Sequence, residues 1–234
     1  MNSQLDFKIE ILKEKQIPYV IKMTSVRKFR LSFNQKGMLV ISYPLGIKSS
    51  SLVEFVEKNI DWILVKYKDI SDKQISYEND SIQYFMGKPY RLRINISKIK
   101  RVDVLDSIMF VSINQYNQVR DLILKWRYEH AEIIFQEILY SCFRTMQHEL
   151  ATFPRLVIKL SKSKWGCCYF NENKIMLNVA LTQVSSSLIE YVIFHELTHF
   201  LIHNHSKAFH MKLEKYLPNA KILRKELKKY NTIL

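Results

Sequence analysis

The hydrophobic positions of the 234-residue chain change their period about halfway along. Between residues 17 and 45 apolar and polar side chains alternate. They do so over residues 18–22, over 29–33 with Phe29, Leu31 and Phe33 in phase, and over 38–42 after Asn34, Gln35, Lys36 and Gly37. A period of two puts alternate side chains on one face of a strand, so strands joined by a hairpin are expected here. Ser49, Ser50 and Ser51 then precede Leu52, Val53, Phe55, Val56, Ile60, Ile63 and Leu64. That spacing, behind a serine N-cap, predicts one helix to about Lys68. Strand patterns return at residues 81–85, cross a turn at Met86, Gly87, Lys88 and Pro89 to residues 90–94, and recur at 108–112.

From about Gln118 to Glu149 the period becomes helical, with Leu122, Ile123, Trp126, Ala131, Ile134, Phe135, Ile138 and Leu139 in phase. One long helix or two is expected, closed before Pro154. Strands follow at residues 155–160 and 174–181, and Ser187 with Glu190 forms a capping-box pattern that starts a further helix. The predicted class is α+β. The change from strands to helices puts a boundary near residue 113, between a β-rich part, residues 1–112, and a helix-rich part, residues 113–234. No Pro/Gly/Ser linker marks it, so the two parts are expected to share an interface.

Composition changes this picture little. The chain is 47% hydrophobic and 25% charged, as globular proteins are. Its longest apolar runs, such as Ile133, Ile134 and Phe135, fall far short of the roughly 20 residues that cross a bilayer. Residues 1–14 carry acidic side chains and no signal-like apolar region, so a cytoplasmic protein without a membrane partner is expected. Cys142, Cys167 and Cys168 lack disulfide-framework or zinc-finger spacing and read as buried thiols. Charge adds more: 36 Lys and Arg against 22 Asp and Glu give +14. Such a balance attracts nucleic acid, nucleotides, anionic peptides or acidic surfaces, although a Lys-rich solvated surface produces it too.

The chemistry concentrates in residues 194–210, which hold five of the seven histidines. Leu188, Val192, His195 and His199 fall on one stripe of the helix that begins near Ser187, so its inward face changes from apolar to imidazole. His195 and His199, one turn apart, can converge on one ion, with Glu196 on the adjacent flank. This is the His-Glu-x-x-His arrangement, in which two neutral imidazoles hold zinc and the carboxylate takes a proton from the water.

A catalytic zinc takes three protein ligands, and the third candidates are His203, His205 and His210. On a straight helix His203 lies about 12 Å along the axis from His195, too far to share an ion. His205 serves only if the helix stops and the chain turns back. Asn204 is the expected left-handed C-cap for that turn, and Ser206 the cap of a second helix over residues 207–217. His195, His199 and His205 are therefore the expected ligands of one zinc ion, and Glu196 the general base. His203 is expected at an exposed or supporting position. His210 is a candidate substrate-facing residue, against the plainer reading of a solvent-side residue on the next helix.

These residues resemble the YgjP-like family of zinc metallopeptidases, related more loosely to the SprT-like and WLM-type proteases. Ser163, Lys164, Trp165, Gly166, Cys167 and Cys168 look like that family's Ser-Arg-Trp-Gly-Ser-Cys signature, residues 174–181 like its following strand, and residues 190–209 like its histidine block. Residues 27–44, 55–62 and 86–90 are similar to its N-terminal half. The resemblance implies a zincin-like domain whose HExxH helix packs on a small sheet. Lys164 and Cys167 depart from it, standing where arginine and serine are usual, and lysine cannot reproduce arginine's two-pronged hold on a carboxylate or phosphate.

The function expected is hydrolysis of a protein or peptide by metal-activated water, with the strand at residues 174–181 holding substrate backbone. Asn178, Trp165, Lys164 and His210 are candidate substrate contacts, and His210, Lys164 or a tyrosine the candidate oxyanion donors. Two alternatives use the basic balance: a metal-dependent phosphoanhydride (nucleotide) hydrolase, and a nucleic-acid-binding module with a structural metal.

Overall fold

Along residues 39–44 Leu39, Ile41 and Tyr43 are buried while Val40, Ser42 and Pro44 are half-exposed, the period of two expected of a strand with one face on a core. The computed structural model of the protein describes residues 9–25, 27–34, 37–46, 48–72, 75–230, 232 and 234. The chain divides into two compact units, Met1–Gln74 and Ile75–Leu234.

The smaller unit runs α1 (Glu10–Glu14), β1 (Tyr19–Thr24), β2 (Arg30–Phe33), β3 (Leu39–Pro44), α2 (Ser49–Lys58) and α3 (Ile60–Asp72). Its sheet has the order β1-β3-β2. The expected hairpin is the antiparallel β2–β3 pair, with Phe33 opposite Leu39, and β1 lies parallel on the other edge of β3. The middle of its turn, Gln35 and Lys36, and residues 1–8 of the segment read for a signal lie outside the described residues. Leu39 and Ile41 meet Leu52, Val56 and Ile63 of the helices in one core. The single helix expected to about Lys68 is two. Asn59 divides them, its side-chain amide donating to the Phe55 carbonyl at 2.7 Å and so competing with the continuing ladder. Lys48, not a serine, stands at the N-cap of α2, without a side-chain bond.

The larger unit runs β4 (Ile82–Phe85), β5 (Lys88–Ile96), β6 (Arg101–Leu105), β7 (Ile108–Ile113), α4 (Val119–Met146), β8 (Arg155–Lys159), β9 (Gly166–Tyr169), β10 (Lys174–Asn178), α5 (Ser186–Thr198), α6 (Lys207–Tyr216) and α7 (Ala220–Leu227). Its sheets have the orders β4-β5-β7-β6 and β8-β10-β9. The fold is of the mixed α+β class. The helical pattern after residue 118 forms one 28-residue helix, α4, about 42 Å long. Val119, Ile123 and Trp126 at its start pack on Leu92, Met109, Val111 and Ile113 of the four-stranded sheet. Ala131, Phe135, Leu139 and Met146 further along enter a second core with Ile175, Leu177 and Leu188. The junction at residues 112 and 113, expected to divide two domains, thus lies inside the larger unit, where the shift in composition marks a change of layer.

The β4–β5 turn fixes where α5 begins. Met86 (φ 50°) and Gly87 (φ 77°) both adopt the left-handed conformation of a two-residue hairpin loop. Their amides donate to the Thr182 and Gln183 carbonyls at 2.7 and 3.3 Å. A Cβ on Gly87 would come within 3.1 Å of the Ser185 backbone, so the close approach itself requires glycine. Buried Arg127 of α4 adds donations to the Tyr84 carbonyl at 2.7 Å and to Thr182 Oγ1 at 2.9 Å. Docked this way, the chain enters α5 with Ser185 at the N-cap. The capping box expected at Ser187 and Glu190 does not form, and Ser187 Oγ lies 3.0 Å from Ser185 Oγ. Among the described residues no helix is long and apolar enough to cross a membrane.

Candidate metal centre

The regular turns of α5 end at Thr198, and tighter hydrogen bonds carry the chain on: His199 to Glu196, Phe200 to Leu197 and Leu201 to Thr198, at 3.0 to 3.2 Å. The helix therefore breaks between His199 and His205, as the triad requires. Asn204 does not take the left-handed conformation expected of it. Instead its Oδ1 accepts from the Ser206 amide at 3.2 Å, a side-chain turn that reverses the chain without positive φ. Ser206 then caps α6, its Oγ accepting from the Phe209 amide at 3.5 Å.

This reversal brings His195, His199 and His205 together, each offering a ring nitrogen, all within 4.8 Å of one another. His205 Nε2 lies 3.0 Å from His195 Nε2. The three rings surround Phe209, fully buried, with centroids 4.6 to 4.9 Å from it. His199 Nδ1 lies 3.1 Å from the Ile202 carbonyl oxygen. A carbonyl only accepts, so Nδ1 carries the proton and Nε2 keeps its lone pair for an ion. Burial pushes the His195 imidazole down to about 3, with neighbouring His199, His205 and Arg224 adding to the effect, and it lowers His199 as well. Neutral rings with converging lone pairs are the form a divalent cation needs, and the set fits one.

Glu196 points into the wall made by β9. It is 6% exposed, and a Cβ built on Gly166 would fall 2.7 Å from its Oε1. Burial pushes its carboxyl up to about 7, while the Cys168 amide, which donates to it, and the charge of Lys164 pull the other way. The Trp165 carbonyl accepts from the Asn178 amide at 2.8 Å, so backbone alternation turns Gly166 and Cys168 away from β10, onto the free edge of β9.

Of the other candidates, Trp165 and Lys164 line a cavity with His195 and Glu196. His210 is half-buried, its ring 6.5 Å from that of His205, and it lines a smaller cavity nearby. His203 stands apart from the three, its Nδ1 3.0 Å from the His199 carbonyl oxygen and its ring stacked on Phe170 at 4.0 Å. Asn178, expected to face substrate, is fully buried. Its side-chain amide donates to the carbonyls of Ser161, Lys164 and Thr232 at 2.7 to 3.1 Å, pinning the loop that carries Lys164 and Trp165. β10, expected to hold substrate backbone, is the central strand with both edges occupied. Cys142 is buried as expected, whereas Cys167 and Cys168 are half-exposed on β9.

Tyr191 and Arg224 were not among the expected residues. Tyr191 precedes His195 by one helical turn, and that i−4 spacing was the available signal. Arg224 reaches the site from α7, and no local pattern ties it there.

No curated protein matches the chain in sequence. Among solved structures, the metallopeptidase zymogen of Methanocaldococcus jannaschii jannalysin is 22% identical, with a TM-score of 0.36, covering 41% of this chain and 94% of that one. The metallopeptidase zymogen of Pyrococcus abyssi abylysin is 20% identical, with a TM-score of 0.37, covering 43% of this chain and 99% of that one. The model of the YgjP-like metallopeptidase domain matches residues 27–230, nearly the whole chain, and the chain belongs to that family of metal-dependent peptidases.

Proposed function

We propose that the protein is a zinc-dependent peptidase in which His195, His199 and His205 hold the ion and Glu196 is the general base. The observation that carries this reading is the convergence of three ring nitrogens within 4.8 Å beside a buried carboxylate. A zinc ion there would bring the pKa of a water toward 7 and polarise the scissile carbonyl.

The chain's own groups do the rest. Glu196, held by the Cys168 amide and the Gly166 wall, takes the proton of the attacking water and returns it to the leaving amine. The His199 bond to Ile202 keeps that imidazole in one tautomer, and Phe209 braces all three rings. Extended substrate pairs with the free edge of β9, the strand whose outward backbone lies beside Glu196. Tyr191, which lines the cavity with His195 and Glu196, is a side-chain donor available to the developing oxyanion.

The test is Glu196→Gln beside wild type, with metal content measured in both. The expected result is one zinc per chain in each and loss of fragment release from a denatured protein in the variant, by about 1,000-fold or more. Equal cleavage by both proteins overturns the role of Glu196. Loss of phosphate release from nucleotides, with no peptide cleavage by wild type, overturns the peptidase reading.

A further inference from the structure

The cavity beside Glu196 and His195 has a volume of about 280 Å³ and two chemically distinct parts. Its floor is apolar, formed by Trp165, Tyr191 and Leu227, and its rim carries Lys164, Arg224 and Lys228. The rim cations come from separate places in the chain, the loop before β9 and the end of α7, and all three are exposed.

Some cations of this unit find acids: Arg93 lies 2.8 Å from Asp80, Arg101 2.7 Å from Asp103, and Lys215 2.8 Å from Glu149. Lys164, Arg224 and Lys228 have no ion-pair partner among the described residues. Glu214, on the smaller cavity that shares Tyr191 and Arg224, is held by Lys221 at 3.1 Å. Glu196 is the one acid lining the larger cavity, and it is buried against Gly166. Three cations therefore face one mouth, repelling one another, around a floor too apolar to solvate an anion by itself. An incoming anion relieves that repulsion, and an arginine fork at the rim matches a planar carboxylate with two bonds. The partial negative charge at the C-terminal end of α7 favours Arg224 and Lys228 there without supplying a full counter-charge. The volume is at the lower end for a small-molecule site and suits one side chain with its carboxylate.

We propose that this cavity is a carboxylate subsite: the enzyme selects peptides carrying an acidic side chain, or a free C-terminal carboxylate, close to the scissile bond, held by Arg224 and Lys228 with Lys164. This rests on the peptidase reading above and adds the class of substrate.

Three peptides of one sequence test it: one with Glu near the cleaved bond and an amidated C-terminus, one with Gln there and an amidated C-terminus, and one with Gln and a free C-terminal carboxylate. Cleavage is followed in wild type and in Arg224→Gln/Lys228→Gln. Binding of the labelled peptides to Glu196→Gln, with and without the two α7 substitutions, is followed by fluorescence anisotropy. At least one carboxylate peptide is expected to show a KM and a Kd about 10-fold or more below those of the neutral one, the size of a lost charged hydrogen bond. That advantage shrinks to about twofold or less when Arg224 and Lys228 are replaced, and it weakens as salt is raised. Which peptide shows it distinguishes a side chain from a chain terminus.

Equal Kd and equal kcat/KM for all three peptides overturns the subsite and leaves the peptidase reading standing. An advantage that survives the double substitution also overturns it. If no peptide is cleaved yet the Kd contrast appears and needs Arg224 and Lys228, the subsite stands and the peptidase reading falls.

Discussion

Gly166 shows how one missing side chain can set the position of a reacting group. Its φ is not left-handed, so glycine is needed here for space: a Cβ would sit 2.7 Å from Glu196 Oε1 and 2.8 Å from Cγ. Alanine there must push the carboxylate aside, and misplacement by about 1 Å costs on the order of 100-fold in rate. Gly166→Ala is therefore expected to lower kcat by about 100-fold while zinc content and thermal midpoint stay near those of wild type, read by metal analysis and calorimetry. The sequence already carried much at this scale. The His195, Glu196 and His199 spacing pointed to a candidate site, and the geometry of a straight helix separated His205, which joins them in the fold, from His203, which does not. Asn178 was misread because type and strand position do not reveal burial: its amide serves three carbonyls inside the fold.

At the scale of elements, the site depends on α6 being held where it delivers Ser206 and Phe209. Glu149, just beyond α4, provides one tie. It accepts from Lys212 at 2.5 Å, from Lys215 at 2.8 Å and from the Tyr216 hydroxyl, all on α6. These donors hold its carboxyl far below the ordinary range, at about 2, with Lys212 the largest cause. A carboxyl with a lower pKa folded than unfolded stabilises the fold only while ionised. Its contribution is complete above about pH 5 and disappears as pH falls toward about 2. Glu149→Gln is thus expected to be less stable than wild type at neutral pH, the gap narrowing through that window. Urea unfolding at stepped pH measures it, and a gap that persists at the acid end would mean packing, not charge, is responsible. Periodicity found most of the longer elements, but not β6, β9 or α7, nor the break at Asn59, where a side-chain bond interrupts a helix that its apolar spacing would have continued.

For the molecule as a whole, an ion held by His195, His199 and His205 would join α5 to the start of α6 only in the folded state. Ligand that binds the folded form alone at 100 times its Kd adds about 2.7 kcal/mol. At about 2–4 °C per kcal/mol for a unit of this size, zinc is expected to raise the thermal midpoint by roughly 5–10 °C over chelator-treated protein. His205→Ala should abolish most of that rise, and a zinc-independent midpoint in wild type would exclude a shared ion. The charge of +14 also gains meaning only at this scale. Summed along the chain it indicates affinity for anions, whereas the fold gathers Lys164, Arg224 and Lys228 at one cavity beside Glu196.

What the sequence determined by itself was local: the α+β class, the long helix after residue 118, the clustering of two histidines and a carboxylate within five residues, and the need for a chain reversal before His205. Each follows from periods of two or about four residues, or from the reach of neighbouring side chains. Tertiary structure alone decided that β10 is central and β9 the free edge, and that Asn178 is buried. It also decided that Asn204 turns the chain through its side chain and that Arg224 arrives from α7. These depend on which distant segments exclude water from one another and compete for the same hydrogen bonds, and no window of neighbouring residues contains that information.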